Sequence, residues 1–90
     1  MRVKIPAQLR NLTGGQAELH VDSANSIREM LDRLRESYPE LSERLVDDGG
    51  QIRRFINIYV GDEDVRFLEG VDTSLDDKAH VAILPAVAGG

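Results

Sequence analysis

Ser26-Ile27-Arg28-Glu29-Met30-Leu31-Asp32-Arg33-Leu34-Arg35-Glu36-Ser37-Tyr38-Pro39 is the stretch around which the rest of the chain is organised. It opens on a capping box. The Ser26 hydroxyl can accept from the Glu29 N–H, and the Glu29 carboxylate can reach back to the Ser26 N–H. Ile27, Met30, Leu31 and Leu34 then fall at helical spacing on one stripe, and Tyr38 extends it. Such a stripe is core, not a cofactor box. Pro39 ends the helix, because the residue before a proline is pushed out of the α region. Leu41 and Leu45 fit a short extra turn before the break at Asp47-Asp48-Gly49-Gly50.

Strand patterns flank this helix. Over residues 2–6, Val3 and Ile5 alternate with Arg2 and Lys4, so one face is apolar and the other charged. Pro6 stops ladder pairing on its own N–H side, and Gly14-Gly15 marks a turn. Over residues 16–21, Ala17, Leu19 and Val21 share a face opposite Gln16, Glu18 and His20, which predicts a hairpin with the first strand. After the helix, residues 55–60 form a near-continuous β-type run, as expected of a central strand. Ile56, Ile58 and Val60 take one face; Phe55, Asn57 and Tyr59 take the other. Residues 61–64 read as a turn into a short strand over 65–67, residues 73–78 as a polar turn holding Leu75, and residues 80–84 as a closing strand.

The predicted order is strand, strand, helix, strand, short strand, strand. One helix covers only one face of such a sheet. A hairpin followed by a crossover helix favours a mixed sheet with the helix packed across it. This is an α+β fold, the β-grasp arrangement of ubiquitin, with four to five strands. The open face would carry Tyr59, His80, Ala82 and the Arg2/Lys4 pair. Residues 1–85 are expected to form the domain, and residues 86–90 a flexible tail.

Composition narrows the function. The chain has 90 residues, 41% of them hydrophobic, which is enough for one small core and no separate cofactor domain. A net charge of −5 disfavours nucleic acid and anionic membranes, whose phosphates need a basic surface. There is no cysteine, so thiolate catalysis, thiolate-held metals and disulfides are excluded. No apolar run reaches the ~20 residues that span a bilayer, and the N-terminal stretch does not resemble a signal peptide. A cytoplasmic location is expected. His20 and His80 are the only histidines, a thin set for zinc, which takes four ligands. Asp62-Glu63-Asp64 lacks the alternating spacing of a calcium loop and reads as a solvated turn, or as an acidic patch that helps dock a partner. No metal site is expected.

The sequence ends Leu84-Pro85-Ala86-Val87-Ala88-Gly89-Gly90. A frayed terminus is the ordinary reading of such an ending. On a β-grasp body, Gly-Gly at the C-terminus is a rarer combination. Glycine has no Cβ, so the pair can thread a channel that rejects side chains. Residues 86–90 extend to roughly 17 Å at ~3.4 Å each, far enough to bring the Gly90 carboxylate into another protein's active site. A carboxylate needs activation before acyl transfer, most simply by ATP. The chain has neither GxxxxGK[ST] nor GxGxxG, so a partner must activate it. This makes the protein a carrier or substrate, not an enzyme.

The ending over residues 83–90 resembles that of the ThiS/MoaD group of ubiquitin-like sulfur carriers. Residues 54–67 (Arg54-Phe55-Ile56-Asn57-Ile58-Tyr59-Val60-Gly61-Asp62-Glu63-Asp64-Val65-Arg66-Phe67) resemble the CysO-type branch associated with cysteine biosynthesis. Thr13-Gly14-Gly15-Gln16 and Ser42-Glu43-Arg44-Leu45 are similar too. Asp77-Lys78 departs from the pattern, since many relatives have a glycine in that turn. The resemblance implies that an E1-like enzyme adenylates Gly90 with ATP and that a sulfur donor displaces AMP to leave a thiocarboxylate. It implies that this sulfur attacks an aminoacrylate on a pyridoxal-phosphate cysteine synthase. The acyl group then moves to the amine, and a zinc peptidase releases the cysteine. No cofactor is expected on this chain; ATP, pyridoxal phosphate and zinc belong to partners. Residues Ala86, Val87, Ala88, Gly89 and Gly90 would enter partner sites. Phe55, Tyr59, Phe67 and Leu84 either cover the sheet edge or form an apolar patch that a partner grips. A monomer is expected when free. The rival expectations are delivery to molybdopterin, thiamin or a thio-containing secondary metabolite, a ubiquitin-like protein modifier joined to lysines, and a plain interaction module.

Overall fold

The computed structural model describes residues 1–85. Its sheet is built from β1 (Arg2–Lys4), β2 (Glu18–His20), β3 (Ile56–Val60), β4 (Glu63–Asp64) and β5 (His80–Pro85). Their order across the sheet is β2-β1-β5-β3-β4. β1 runs antiparallel to β2, with Val3 opposite Leu19, and parallel to β5, with Val3 beside Val81. β5 runs antiparallel to β3, with Ile58 opposite Ile83. A parallel pair formed by the first and last strands requires the crossover that the helix provides. This is the β-grasp fold expected from the pattern.

Helix α1 (Ile27–Ser37) buries Ile27, Met30, Leu31 and Leu34. They meet Val3, Ile5, Leu19, Ile58, Val81 and Ile83 in a single core under one sheet face. Ser26 accepts from the Glu29 N–H at 3.2 Å, as the capping box predicts. The Glu29 carboxylate, however, takes the N–H of Asn25 at 3.1 Å and not that of Ser26. Asn25 and Ile27 also pair through their backbones with Leu75 and Thr73, which fixes how the chain enters the helix. Arg28 ties α1 to the turn around Asp72 at 2.9 Å.

Pro39 does two things. Tyr38 leaves the helical region at φ −138° and ψ 72°, ending α1. Pro39 then opens a second helix, α2 (Pro39–Leu45), with Leu41 and Leu45 fully buried. The fixed φ of proline that is incompatible with the end of one helix suits the first position of the next. The expected single extra turn is thus a helix of 7 residues.

Other expectations are corrected. The link before Gly14-Gly15 contains a 3₁₀ helix, Ala7–Leu12. Ala17 lies just ahead of β2 and is exposed, so only Leu19 and Val21 of that trio join the core. Residues 65–67 are a 3₁₀ helix, not a strand. The Asp64 carboxylate accepts from the Arg66 N–H at 2.9 Å, and this cap curls the chain away after β4. Between β3 and β4, Gly61 adopts φ +62°, the conformation that the first position of a two-residue hairpin turn needs. The turn before β5 manages without glycine: Asp76 Oδ1 accepts from the Lys78 N–H at 2.8 Å, and the Asp76 carbonyl from the Ala79 N–H at 3.1 Å. Among the described residues, no helix is long and apolar enough to cross a membrane.

Candidate functional site

β5 is the middle strand of the sheet, and its last residue, Pro85, stands opposite Ile56 at the start of β3. The last described residue therefore lies beside the start of β3. Residues Ala86, Val87, Ala88, Gly89 and Gly90 lie outside the described residues.

A groove of about 580 Å³ adjoins that point, lined by Gln8, Leu9, Arg44, Arg53, Phe55 and Pro85, among others. Phe55 precedes β3 by one residue and is 61% exposed. An aromatic ring left in water beside the departing strand is available to a partner. Leu84, 45% exposed, stands opposite Asn57 on the open face. Tyr59 is half-buried opposite Ala82 on the same face. Phe67 is placed differently. It sits on the 3₁₀ helix after β4, 86% exposed and in no strand. Of the four expected patch residues, Phe55, Tyr59 and Leu84 belong to β3, β5 and their immediate approach, while Phe67 belongs to the sheet margin.

The open face follows from the register. Glu18, Lys4, Ala82 and Tyr59 form one row across β2, β1, β5 and β3. Next to it, His20, Arg2 and His80 form another. The two histidines thus flank an arginine. Among the described residues, no group of three or more His, Asp or Glu is placed to hold a metal ion. His20 instead lies 2.9 Å from Asp22. Of the acidic run, Asp64 is buried and spent on capping the Arg66 N–H. Only Asp62 and Glu63 remain in water.

Asn57 was not singled out from the sequence. It lies between Phe55 and Tyr59, opposite Leu84, and its Oδ1 is buried with no hydrogen-bond partner among the described residues. A buried acceptor left unpaired costs roughly 1–3 kcal/mol. Its period-2 position gave its face but not the closure of the site over it.

A β-grasp body whose middle strand carries the end of the sequence, beside an exposed aromatic and an open sheet face, is the arrangement of a ubiquitin-like protein. The family model "ThiS family" matches residues 3–90. Sulfur carrier protein CysO of Mycobacterium tuberculosis is 47% identical over 90 residues, covering 98% of this chain and 96% of the relative. The crystal structure of the Amycolatopsis orientalis BexX/CysO complex contains a chain with TM-score 0.89 and 39% identity, covering 99% of this chain and 98% of that one. The solution structure of small archaeal modifier protein 1 from Methanosarcina acetivorans matches with TM-score 0.84 and 33% identity, covering 99% and 94%. The chain belongs to the ThiS family, and within it to the sulfur carrier proteins of the CysO type, which are carriers and not enzymes.

Proposed function

We propose that this carrier holds sulfur as a thiocarboxylate on Gly90 and delivers it to cysteine biosynthesis. In the first step a Gly90 carboxylate oxygen bonds to the α-phosphorus of ATP on an E1-like enzyme, and pyrophosphate leaves. Hydrosulfide then attacks the acyl carbon, the bond to AMP breaks, and a proton is released. A pyridoxal-phosphate cysteine synthase takes up the sulfur, and a zinc peptidase frees the product. ATP, pyridoxal phosphate and zinc act in those partners, in the cytoplasm, and the carrier is a monomer when free. Residues 1–85 serve as the handle. Residues 86–90 reach into the partner sites, where glycine without a Cβ passes a narrow channel.

The observation that carries this reading is the CysO-type sequence continuing to Gly89-Gly90 from the middle strand of a β-grasp sheet. Phe55 and Leu84, exposed beside the departing strand, support a grip by the activating enzyme.

The test is reconstitution. The full chain is incubated with ATP, the host's activating enzyme and hydrosulfide, and its intact mass is measured. The expected product is heavier by the difference between sulfur and oxygen, and a chain lacking Gly90 stays unchanged. Candidate synthases are then added, and the cysteine synthase is expected to take up the sulfur. No mass change in the full chain overturns the thiocarboxylate; transfer only to a different synthase overturns the cysteine client.

One observation favours a second reading, a protein modifier: the likeness to small archaeal modifier proteins. It predicts a ladder of lysine conjugates on a denaturing gel of host extract, where the carrier reading predicts one free band.

A further inference from the structure

Between Gly61 at φ +62° and Gly70 at φ +59°, the chain makes one excursion at the outer margin of the sheet. It consists of β4 and the 3₁₀ helix Val65–Phe67, followed by Leu68 and Glu69. Hydrogen bonds hold it along its length. The Gly61 N–H is donated to the His80 carbonyl at 2.9 Å, the Leu68 N–H to the Val65 carbonyl at 3.0 Å, and the Glu69 N–H to Thr73 Oγ1 at 3.1 Å. Val65, 0% exposed, roots it in the core. Phe67 is nevertheless 86% exposed, and Leu68 beside it 40%. A phenylalanine on a hydrogen-bonded, core-anchored turn is held out in water by the fold. An aromatic side chain so presented loses little freedom when a partner covers it, which is what makes an anchor effective.

The charges beside this apolar pair indicate what covers it. Asp62, Glu63 and Glu69 are exposed and make no ion pair among the described residues. Arg66 is the one cation between residues 61 and 70, and its Nε faces Asp64 at 3.6 Å. Arg53 and Arg54 share with Val65 and Arg66 a cavity that Phe67 does not line. Phe67 and Leu68 are thus flanked by unpaired carboxylates, in a chain whose net charge is −5.

We propose that Phe67 and Leu68 anchor a partner protein that presents an apolar pocket rimmed by lysine or arginine. The pocket takes the ring of Phe67, and the cations of its rim meet Asp62, Glu63 and Glu69. Matched charge of this kind speeds encounter and selects the partner. The same carboxylates repel nucleic-acid phosphates and anionic lipid headgroups, which leaves a protein as the occupant. β4 pairs with Tyr59 and Val60, whereas Pro85 stands opposite Ile56 at the other end of β3. A partner held at Phe67 leaves the end of the sequence free for another, so the proposal does not depend on what Gly90 carries.

The first probe is an apolar cavity ringed by ammonium groups, 6-amino-β-cyclodextrin, titrated into the isotope-labelled full chain and followed by chemical shifts. Shifts are expected at Phe67, Leu68 and Glu69, and Phe67→Ser is expected to abolish them, with thermal unfolding verifying its fold. At low salt the amino form is expected to bind roughly threefold or more tighter than neutral β-cyclodextrin, and the difference to shrink in about 1 M salt. Phe55 is the internal control. It is 61% exposed, in a groove where Arg44 and Arg53 stand beside Glu43 and Asp48, so charge gives it no such preference. In a second arm, Phe67→benzoylphenylalanine is irradiated in host extract and the adduct is sequenced by mass spectrometry. The crosslinked stretch is expected to carry lysine or arginine beside apolar residues. Glu63→Lys with Glu69→Lys is expected to reduce the adduct roughly threefold or more, and a chain ending at Pro85 to form it undiminished. Shifts at Phe55 alone, equal affinity for the amino and neutral forms, absence of an adduct, an adduct indifferent to the charge reversal, or its loss in the shortened chain each overturns the proposal.

Discussion

Asn57 occupies a position where the sequence pattern asks for little and the structure asks for much. Alternation puts it on the open face, where an amide is unremarkable, yet its Oδ1 is shut away from water with no described partner. Valine at this position removes the stranded oxygen and suits a strand better. Asn57→Val is therefore expected to stabilise the fold by about 1 kcal/mol. For a domain of this size that is a rise of roughly 4–8 °C in the unfolding midpoint. A calorimetric melt that moved down would show that the amide already has a partner beyond the described residues. Single-residue identities were otherwise legible where a periodicity constrained them. Tyr59 and Ala82 lie where alternation placed them, on the open face. Phe67 does not, because its assumed strand is a 3₁₀ helix fixed by the Asp64 cap, an interaction that strand periodicity does not encode.

Whole elements were easiest to read where a local chemical signal and a pattern agreed. The box at Ser26 and the stripe of Ile27, Met30, Leu31 and Leu34 name both the start and the buried face of α1, while Tyr38, read as extending the stripe, is its C-cap. Pro39 reads as a stop from the sequence, but its second use as the first residue of α2 is not legible there, since Leu41 and Leu45 alone give too short a stripe to separate a turn from a helix. The same reasoning assigns energies. Among the described residues Ser26 supplies the only side-chain acceptor capping α1, at 3.2 Å, whereas the Glu29 carboxylate serves Asn25 one residue upstream of Ser26. Ser26→Ala is expected to cost about 1 kcal/mol. Glu29→Ala is expected to cost less, because its bond is exposed and leaves the Ser26 cap in place. Urea midpoints of the two variants test this order. A larger loss for Glu29→Ala would mean that the displaced half of the box is the stronger one.

At the scale of the molecule, the mixed sheet with a helix across it followed from a hairpin and one crossover helix, because few topologies satisfy right-handed, unknotted connection, while the order of its strands comes from the structure. The site was legible only as a chain ending: Gly89-Gly90 can be read without a fold, whereas the groove at Pro85 needs the fold to bring Gln8, Arg44 and Phe55 together. If the body is a handle and residues 86–90 are the working end, stability and function separate cleanly. Among the described residues the core runs from Met1 to Ile83. A chain ending at Pro85 should therefore keep its unfolding midpoint to within about 2 °C, well below the shift that a loss of 1 kcal/mol produces. The same truncation should abolish the mass increase seen with ATP, activating enzyme and hydrosulfide. A drop of several degrees would mean that residues 86–90 pack on the body and help hold it together, and the proposed division of the chain into handle and working end would fail with it.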